Sequence, residues 1–254
     1  MFNEEKTLDD VFDKAGEFLD LIVAVDDGSR DGSAEKIRSR MRGRRGMYLL
    51  RHEGNRGMAR ALQTGFLFVQ RLLESRIITP DDIVINFDAD GQHPVQEIPR
   101  ASSLMVEDDL DILLMNRDFS LYPRYKVLGN LFLTSVARLV SGYPYQDVES
   151  GFRLVRARAI PLILDYFTGW KYSCAQEIAI ITALHGLRIR NDYRIRINYY
   201  RPGTTVSDGF AVLTMSIVAL LRVKLRWRNS PSRIKHALDD VTVEPDDMLE
   251  ECPA

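Results

Sequence analysis

Two carboxylates and a carboxamide fall close together in Asp88-Ala89-Asp90-Gly91-Gln92-His93, directly after the apolar run Ile83-Val84-Ile85-Asn86-Phe87. Successive side chains of an extended segment point to opposite faces, so Asp88 and Asp90 converge on one side and Gln92 reaches the same space as the chain turns. Oxygen ligands of this kind suit Mg2+ or Mn2+, which bind through a few carboxylates and leave positions for a diphosphate. The implied chemistry is a metal-bridged nucleotide site. Taken alone, an Asp-x-Asp is also an ordinary acidic cap where a strand enters a loop, so the rest of the chain has to decide.

The elements that would position this motif are legible as alternating patterns. Leu21–Val25, Met47–Leu50, Ile83–Phe87 and Asp111–Met115 read as buried strands, and Ser150–Val155 as extended. Met58–Leu73, Val95–Val106, Lys126–Val140 and Ala175–Leu184 repeat apolar residues at helical spacing, while Leu187–Tyr200 alternates like one or two strands. Strands alternating with helices predict an α/β fold built on a mostly parallel central sheet flanked by helices. Thr7 with Asp10 predicts a capped start for the first helix.

Ligands of open α/β sheets bind beyond the carboxyl ends of the strands, and polar clusters occupy such ends here. Asp26-Asp27-Gly28-Ser29-Arg30-Asp31-Gly32-Ser33 follows the first strand, with glycines for tight turning and carboxylates free to accept hydrogen bonds from a base or ribose. Asn55-Arg56-Gly57 follows the second and opens a helix, where backbone N–H groups attract anions. The acidic motif follows the third.

With these clusters in order, the chain resembles the family 2 glycosyltransferases, in particular the branch of dolichyl-phosphate mannose synthase and bacterial polyprenyl-phosphate glycosyltransferases. The matching elements are Asn3-Glu4-Glu5, Val25 to Ser29, Asn55 to Gly57 with Thr64-Gly65-Phe66, Asp88 to Pro94, Asn116-Arg117, and Asp147-Val148-Glu149-Ser150-Gly151-Phe152-Arg153. The resemblance implies a GT-A-type nucleotide-sugar-binding fold over residues 1–206. By motif position Asn3, Glu5, Asp26, Asp27 and Asp88 would bind the donor, and Asp88, Asp90 and Gln92 would hold Mg2+ or Mn2+ on its diphosphate. It further implies inverting transfer of a sugar, from a donor of the GDP-mannose or UDP-glucose type, to an undecaprenyl or dolichyl phosphate.

Within that resemblance Arg117, Arg124, Arg153 and Arg201 fall in segments that line the acceptor side, and bidentate guanidinium suits phosphate. Arg117 and Arg153 are the candidate catalytic arginines, with Asp90; Arg124 and Arg201 are candidates for the acceptor phosphate. Val206 stands where relatives carry a Lys after the Arg201 segment. Glu177 matches an acidic family position and would orient the acceptor, or act as a base towards a sugar hydroxyl. His93 reads as a strand terminator with a possible reach to the diphosphate.

The composition, 254 residues at 45% hydrophobic with net charge −2, describes one domain with room for a large core. Cys174 and Cys252 form neither a disulfide framework nor a metal-ligand pattern, which points to a reducing compartment. Phe210–Leu221 is apolar but falls short of the roughly 20 residues of a transmembrane helix, and Arg222, Lys224, Arg226, Arg228, Arg233 and Lys235 follow it. Such a helix lies at a membrane interface, attracted by anionic headgroups, or packs at a homo-oligomer contact. Residues 207–236 are therefore read as that segment, 237–254 as an acidic, disordered tail, and the protein as cytoplasmic and peripheral at a membrane's cytoplasmic face, with no nucleic acid as partner.

One departure matters. Relatives begin with an apolar strand running into the Asn-Glu-Glu element, whereas here only Met1 and Phe2 precede Asn3. Without that central strand, neighbouring backbone groups are unpaired and the nucleoside pocket loses a wall; the expectation is that the native chain starts upstream. Other classes stay open: a glycosyltransferase acting on a sugar hydroxyl, a non-catalytic nucleotide-sugar-binding protein, and a nucleotidyltransferase, although the basic glycine-rich loop of the last is missing.

Overall fold

The computed structural model describes residues 1–170, 173–197, 206–230, 238 and 240–245. The β-branched and aliphatic runs form strands β1 (Ile22–Asp26), β2 (Met47–His52), β3 (Ile83–Asn86), β4 (Ile112–Arg117), β5 (Arg153–Arg156), β6 (Ile189–Ile195) and β7 (Val241–Pro245). Between them lie helices α1 (Leu8–Ala15), α2 (Ser33–Met41), α3 (Met58–Glu74), α4 (Ile98–Glu107), α5 (Arg124–Ser141), α6 (Ile160–Tyr166), α7 (Cys174–Leu184) and α8 (Val206–Lys224). The two-residue alternation of the strands sorts their side chains between layers. Ile112 and Leu114 of β4 pack with α3, α6 and α7, whereas Leu113 and Met115 pack with α4. Met47 and Leu49 of β2 face α1 and α2; Tyr48 and Leu50 face Phe68 and Leu72 of α3.

The α/β architecture holds, but the pairing is mixed rather than mostly parallel. The strands form two sheets, ordered β1-β2-β7 and β3-β5-β4-β6. Only β1/β2 and β4/β6 run parallel; β7 and β5 enter antiparallel to their neighbours. Among the described residues no strand lies between β1 and β3. Both line one cavity of about 1900 Å³, whose walls are largely the aliphatic residues Val23, Val25, Ile83 and Ile85. At the mouth of the gap, the Met1 amino group donates to the Val25 carbonyl at 2.7 Å and the Asp27 N–H donates to the Met1 carbonyl at 2.9 Å, a single parallel bridge to β1.

Two expectations need correction, and a third element proves to have one face packed in the domain. Residues 241–245, read as part of a disordered acidic tail, form β7 on the edge of β2, where the alternation Val241-Thr242-Val243 packs inward and Arg38 grips Glu244 at 2.7 and 2.8 Å. Thr7 starts α1 without a side-chain cap; its hydroxyl donates instead to Glu4 O and to Ala89 O, at 3.0 and 2.8 Å, tying α1 to the acidic motif. The apolar C-terminal helix α8 is integral to the domain, buried through Val212, Ser216 and Ala219 against α5 and α7. None of the described helices is long and apolar enough to cross a membrane.

Candidate active site

The carboxyl ends of the strands open on the same cavity. It is lined by Asp27 after β1, by Asn55, Arg56 and Gly57 after β2, by Asp88, Asp90, Gln92 and His93 after β3, by Arg117 of β4, and by Glu149 and Arg153 around the start of β5.

On the first side the loops are tied by their own side chains. The Asp27 carboxylate accepts from His52 Nδ1 at 2.7 Å and from the N–H groups of Arg56 and Gly57, both at 2.8 Å. Burial works against its charge, but these hydrogen bonds outweigh it and hold the carboxyl below the usual range. Asp26, fully buried, accepts from Ser29 N and Arg51 Nε at 3.0 and 3.2 Å. Asn3 Oδ1 accepts from Arg30 N at 2.9 Å and Glu5 from Gly32 N at 3.0 Å. Gly28 has φ +75°, and a Cβ there would sit 2.6 Å from the Gly54 backbone, so the two loops approach only because it is glycine. Of the predicted donor residues on this side, Asp27 reaches the cavity; Asn3, Glu5 and Asp26 stand behind it, shaping the loop.

At β3, Asp88 and Asp90 both face the cavity. Asp90 accepts from the Gln92 N–H at 3.0 Å and from Gln92 Nε2 at 2.9 Å, so the carboxamide braces a carboxylate. His93 Nδ1 accepts from the Asp88 N–H at 3.0 Å while its ring stacks on Phe152, centroids 5.1 Å apart. Burial lowers its pKa despite the neighbouring Asp88 and Asp90, so the ring is a neutral brace for the turn and its Nδ1 lone pair is already occupied. No group of three His, Cys, Asp or Glu able to hold a metal occurs among the described residues. Two hard carboxylates beside open space nevertheless fit a divalent cation whose remaining ligands are phosphate oxygens and water.

The far wall carries the arginines. Arg117 is paired with Asp147 through Nε at 2.8 Å and Nη2 at 2.9 Å, and Nη2 also donates to Asn130 Oδ1 at 2.8 Å. Its guanidinium lies 5.2 Å from the centre of the Phe119 ring. Arg153, only 1% exposed, donates to the carbonyls of Ser150 and Ala175 at 2.6 and 3.3 Å, and burial depresses its pKa. Next to it burial pushes the Cys174 thiol up to about 12, making it inert packing. Glu149 is pushed up to about 7 by burial, against the opposing charges of Arg117 and Arg153. Gly151 lets this loop press on the acidic motif, since a Cβ there would lie 3.2 Å from Asp88 Oδ2.

The structure does not bring every predicted residue here. Glu177 sits at the start of α7, 1% exposed and outside the cavity lining, where its carboxylate accepts from Thr168 and Ser173; burial raises its pKa, and it ties those two residues to α7 rather than facing the cavity. Arg124 opens α5 on the exposed surface and is not itself in the cavity lining, although the neighbouring Tyr125 and Lys126 are. Arg201 lies outside the described residues. Conversely, Asn130 and Glu149 line the cavity and were not singled out. Glu149 lies inside the Asp147–Arg153 run that carried the resemblance, but Asn130 is an isolated polar residue in a helical stretch and gives no sequence signal.

The relatives agree with this geometry. An uncharacterised protein of Methanocaldococcus jannaschii is 29% identical over 222 residues, covering 84% of this chain and 86% of its own. The UDP-N-acetylglucosamine–dolichyl-phosphate N-acetylglucosaminyltransferase of Methanococcus voltae is 27% identical over 234 residues, 83% of this chain and 90% of its own. Glucosyl-3-phosphoglycerate synthase from Mycobacterium tuberculosis, in complex with Mg2+ and UDP, superposes with a TM-score of 0.62 at 18% identity, covering 88% of this chain and 76% of that one, and so shares its fold. The model of the family described as "Glycosyl transferase family 2" matches residues 1–160, well over half the chain, and the protein therefore belongs to that family and is a glycosyltransferase.

Proposed function

We propose that this glycosyltransferase moves a hexose from a nucleoside diphosphate sugar to a polyprenyl phosphate, with Mg2+ or Mn2+ held by Asp88 and Asp90. The observation that carries the reading is the convergence of the Asp27-braced loop, the Asp88/Asp90 pair and the Arg117/Arg153 wall on a single cavity. Support for the acceptor comes from the Methanococcus voltae relative, whose name specifies dolichyl phosphate; support for the metal comes from the fold neighbour crystallised with Mg2+ and UDP.

In this reading the α3 N-terminus and the N–H groups of residues 55–57 lie on the nucleotide side, and Gln92 keeps Asp90 aimed into the cavity. A bound divalent ion supplies neutralisation of charge on the departing nucleoside diphosphate. A phosphate oxygen of the acceptor forms the new bond to the anomeric carbon as the bond to the diphosphate breaks. The nucleophile is already anionic near neutral pH, so the site needs positioning and charge stabilisation and no strong general base. That accords with Glu177 lying outside the cavity. Inversion, and GDP-mannose, UDP-glucose or UDP-N-acetylglucosamine as donor, belong to the same reading.

In the same reading the protein works at the cytoplasmic face of a membrane, where a lipid substrate would be met. Ile217, Leu221, Leu225 and Trp227 are 49–70% exposed on α8 and just beyond it, beside Lys224, Arg226 and Arg228, a pattern suited to an anionic interface. Incubating purified protein with each labelled donor, Mn2+ and undecaprenyl or dolichyl phosphate, and following label into the organic phase, tests the reading; water-soluble oligosaccharide product in place of labelled lipid would overturn the acceptor.

A further inference from the structure

The β4/β5 side of the cavity holds hydrogen-bonding atoms with nothing to bond among the described residues. Glu149 Oε1, Asn130 Nδ2 and Arg153 Nε are each closed off from solvent and lack a partner among the described residues, although all three residues line the cavity. Native proteins seldom leave such atoms unpaired, because each forfeits its hydration without return. The orientations are fixed by what the other atoms of the same groups do. Asn130 Oδ1 is taken by Arg117, which leaves the amide nitrogen facing away from it. Both terminal nitrogens of Arg153 are taken by backbone carbonyls, which leaves Nε. Glu149 is anchored through its own N–H to Asp147 Oδ1 at 3.2 Å, the carboxylate that also holds Arg117.

The set is one acceptor and two donors. A phosphate offers only acceptors and would meet the ionised Glu149 carboxylate unfavourably, whereas a sugar hydroxyl both donates and accepts and so suits either form of the group. We propose that Glu149, with Asn130 and Arg153 of the same cavity lining, reads the transferred sugar: Oε1 accepts from a ring hydroxyl, while Asn130 Nδ2 and Arg153 Nε donate to the sugar's oxygens. This rests on the sugar-nucleotide reading above. It moves Arg153 from a phosphate contact to a sugar contact and makes Glu149 a specificity-determining residue. Gly151, which brings the loop against Asp88, sets this wall beside the acidic motif.

The test compares what the sugar adds to binding. With Mn2+ present, calorimetry measures UDP against UDP-glucose and UDP-N-acetylglucosamine, and GDP against GDP-mannose, on the unaltered chain and on Glu149→Gln and Glu149→Ala. The expected result is a sugar-dependent gain in affinity that falls about tenfold or more in both variants while nucleoside diphosphate affinity stays put, since a hydrogen bond to a carboxylate is worth that much. A ligand-side measurement needs no variant to fold: a panel of deoxy-sugar nucleotides on the unaltered chain should contain one that loses the same factor, and that one should bind Glu149→Ala no worse than its parent does. An unchanged sugar gain in both variants, with no deoxy analogue penalised, overturns the inference alone. Failure of the unaltered chain to bind any of these nucleotides overturns the sugar-nucleotide reading and this inference with it.

Discussion

The two sheets treat their polar groups in opposite ways. Around β1 and β2 the carboxylates are consumed internally: Asp26, Asp27, Glu5 and Asp31 all accept from nearby N–H groups, so the loops are fixed before any ligand arrives. Around β4 and β5 hydrogen-bonding capacity is held back, with Glu149 Oε1, Asn130 Nδ2 and Arg153 Nε all buried and unpartnered. The first arrangement gains rigidity from satisfied bonds; the second tolerates a standing cost that a ligand can relieve. Preorganisation therefore sits on the β1 side and discrimination on the β4/β5 side.

The contrast breaks most visibly at Asp27. Removing it strands His52 Nδ1 and two backbone N–H groups in a buried loop, so Asp27→Ala should destabilise the fold by about 3–5 kcal/mol. Urea denaturation measures this, and a loss under about 1 kcal/mol would mean the loop is not held from within. Across the gap, Asp90→Asn should leave the urea midpoint nearly unchanged yet lower transfer in the presence of Mn2+ by about 100-fold or more, as expected if charge is taken from the group proposed to hold the metal. An active Asp90→Asn enzyme would remove the acidic pair from the chemistry.

These two residues also mark how much could be read from the sequence. The strands and most helices were legible because alternation and helical spacing are local: Met58–Leu73 became α3 (Met58–Glu74), and Lys126–Val140 became α5 (Arg124–Ser141). The acidic motif was legible because a strand end constrains where its side chains point. Strand order was not, since β5 slots antiparallel between β3 and β4 through contacts remote in sequence. Nor was β7: its short Val-Thr-Val alternation is outweighed by the surrounding acids until the edge of β2 is there to receive it. Motif position also could not separate Asp27, in the cavity, from Asp26 behind it, or reveal that Glu177 faces Thr168 and Ser173 rather than substrate.

The pH dependence of stability sharpens the comparison, because the two sides titrate in opposite senses. Asp27 has a depressed pKa, so its contribution is present above the unfolded carboxylate value and is lost only as pH falls through its lower folded value, in the acid range. Glu149 is raised from 4.5 to about 7, so the folded state binds the extra proton and stability declines as pH rises between those values. Each pKa unit corresponds to about 1.4 kcal/mol; allowing for partial exposure of the residue, the decline should be about 2 kcal/mol. Melting at pH 5 and pH 7.5 should show Glu149→Gln losing less stability than the unaltered chain over that interval. Parallel slopes for the two proteins would mean that the Glu149 carboxyl is hydrated and not held in the wall.

The smallest expected effect concerns the outer face of the β4/β5 half, where α8 packs on α5 and α7. Deleting α8 to test membrane contact would expose Val212 and Ala219 and strand Gln176, whose Nε2 donates to Ser216 Oγ at 2.6 Å, so loss of binding would be confounded with unfolding. Charging the exposed face avoids this: Ile217→Glu and Leu221→Glu alter residues that are each 49% exposed and should change fold stability by no more than about 0.5 kcal/mol. If this face meets lipid, each substitution removes apolar burial and adds repulsion from anionic headgroups, and flotation with phosphatidylglycerol-containing vesicles should fall about tenfold per residue. Neutral phosphatidylcholine vesicles should bind the unaltered chain more weakly, because Lys224, Arg226 and Arg228 then lose their partners. Undiminished flotation of the charged variants, together with dissociation of a dimer in sedimentation velocity, would reassign the face to contact between copies of the chain and leave the lipid acceptor to be reached by another surface.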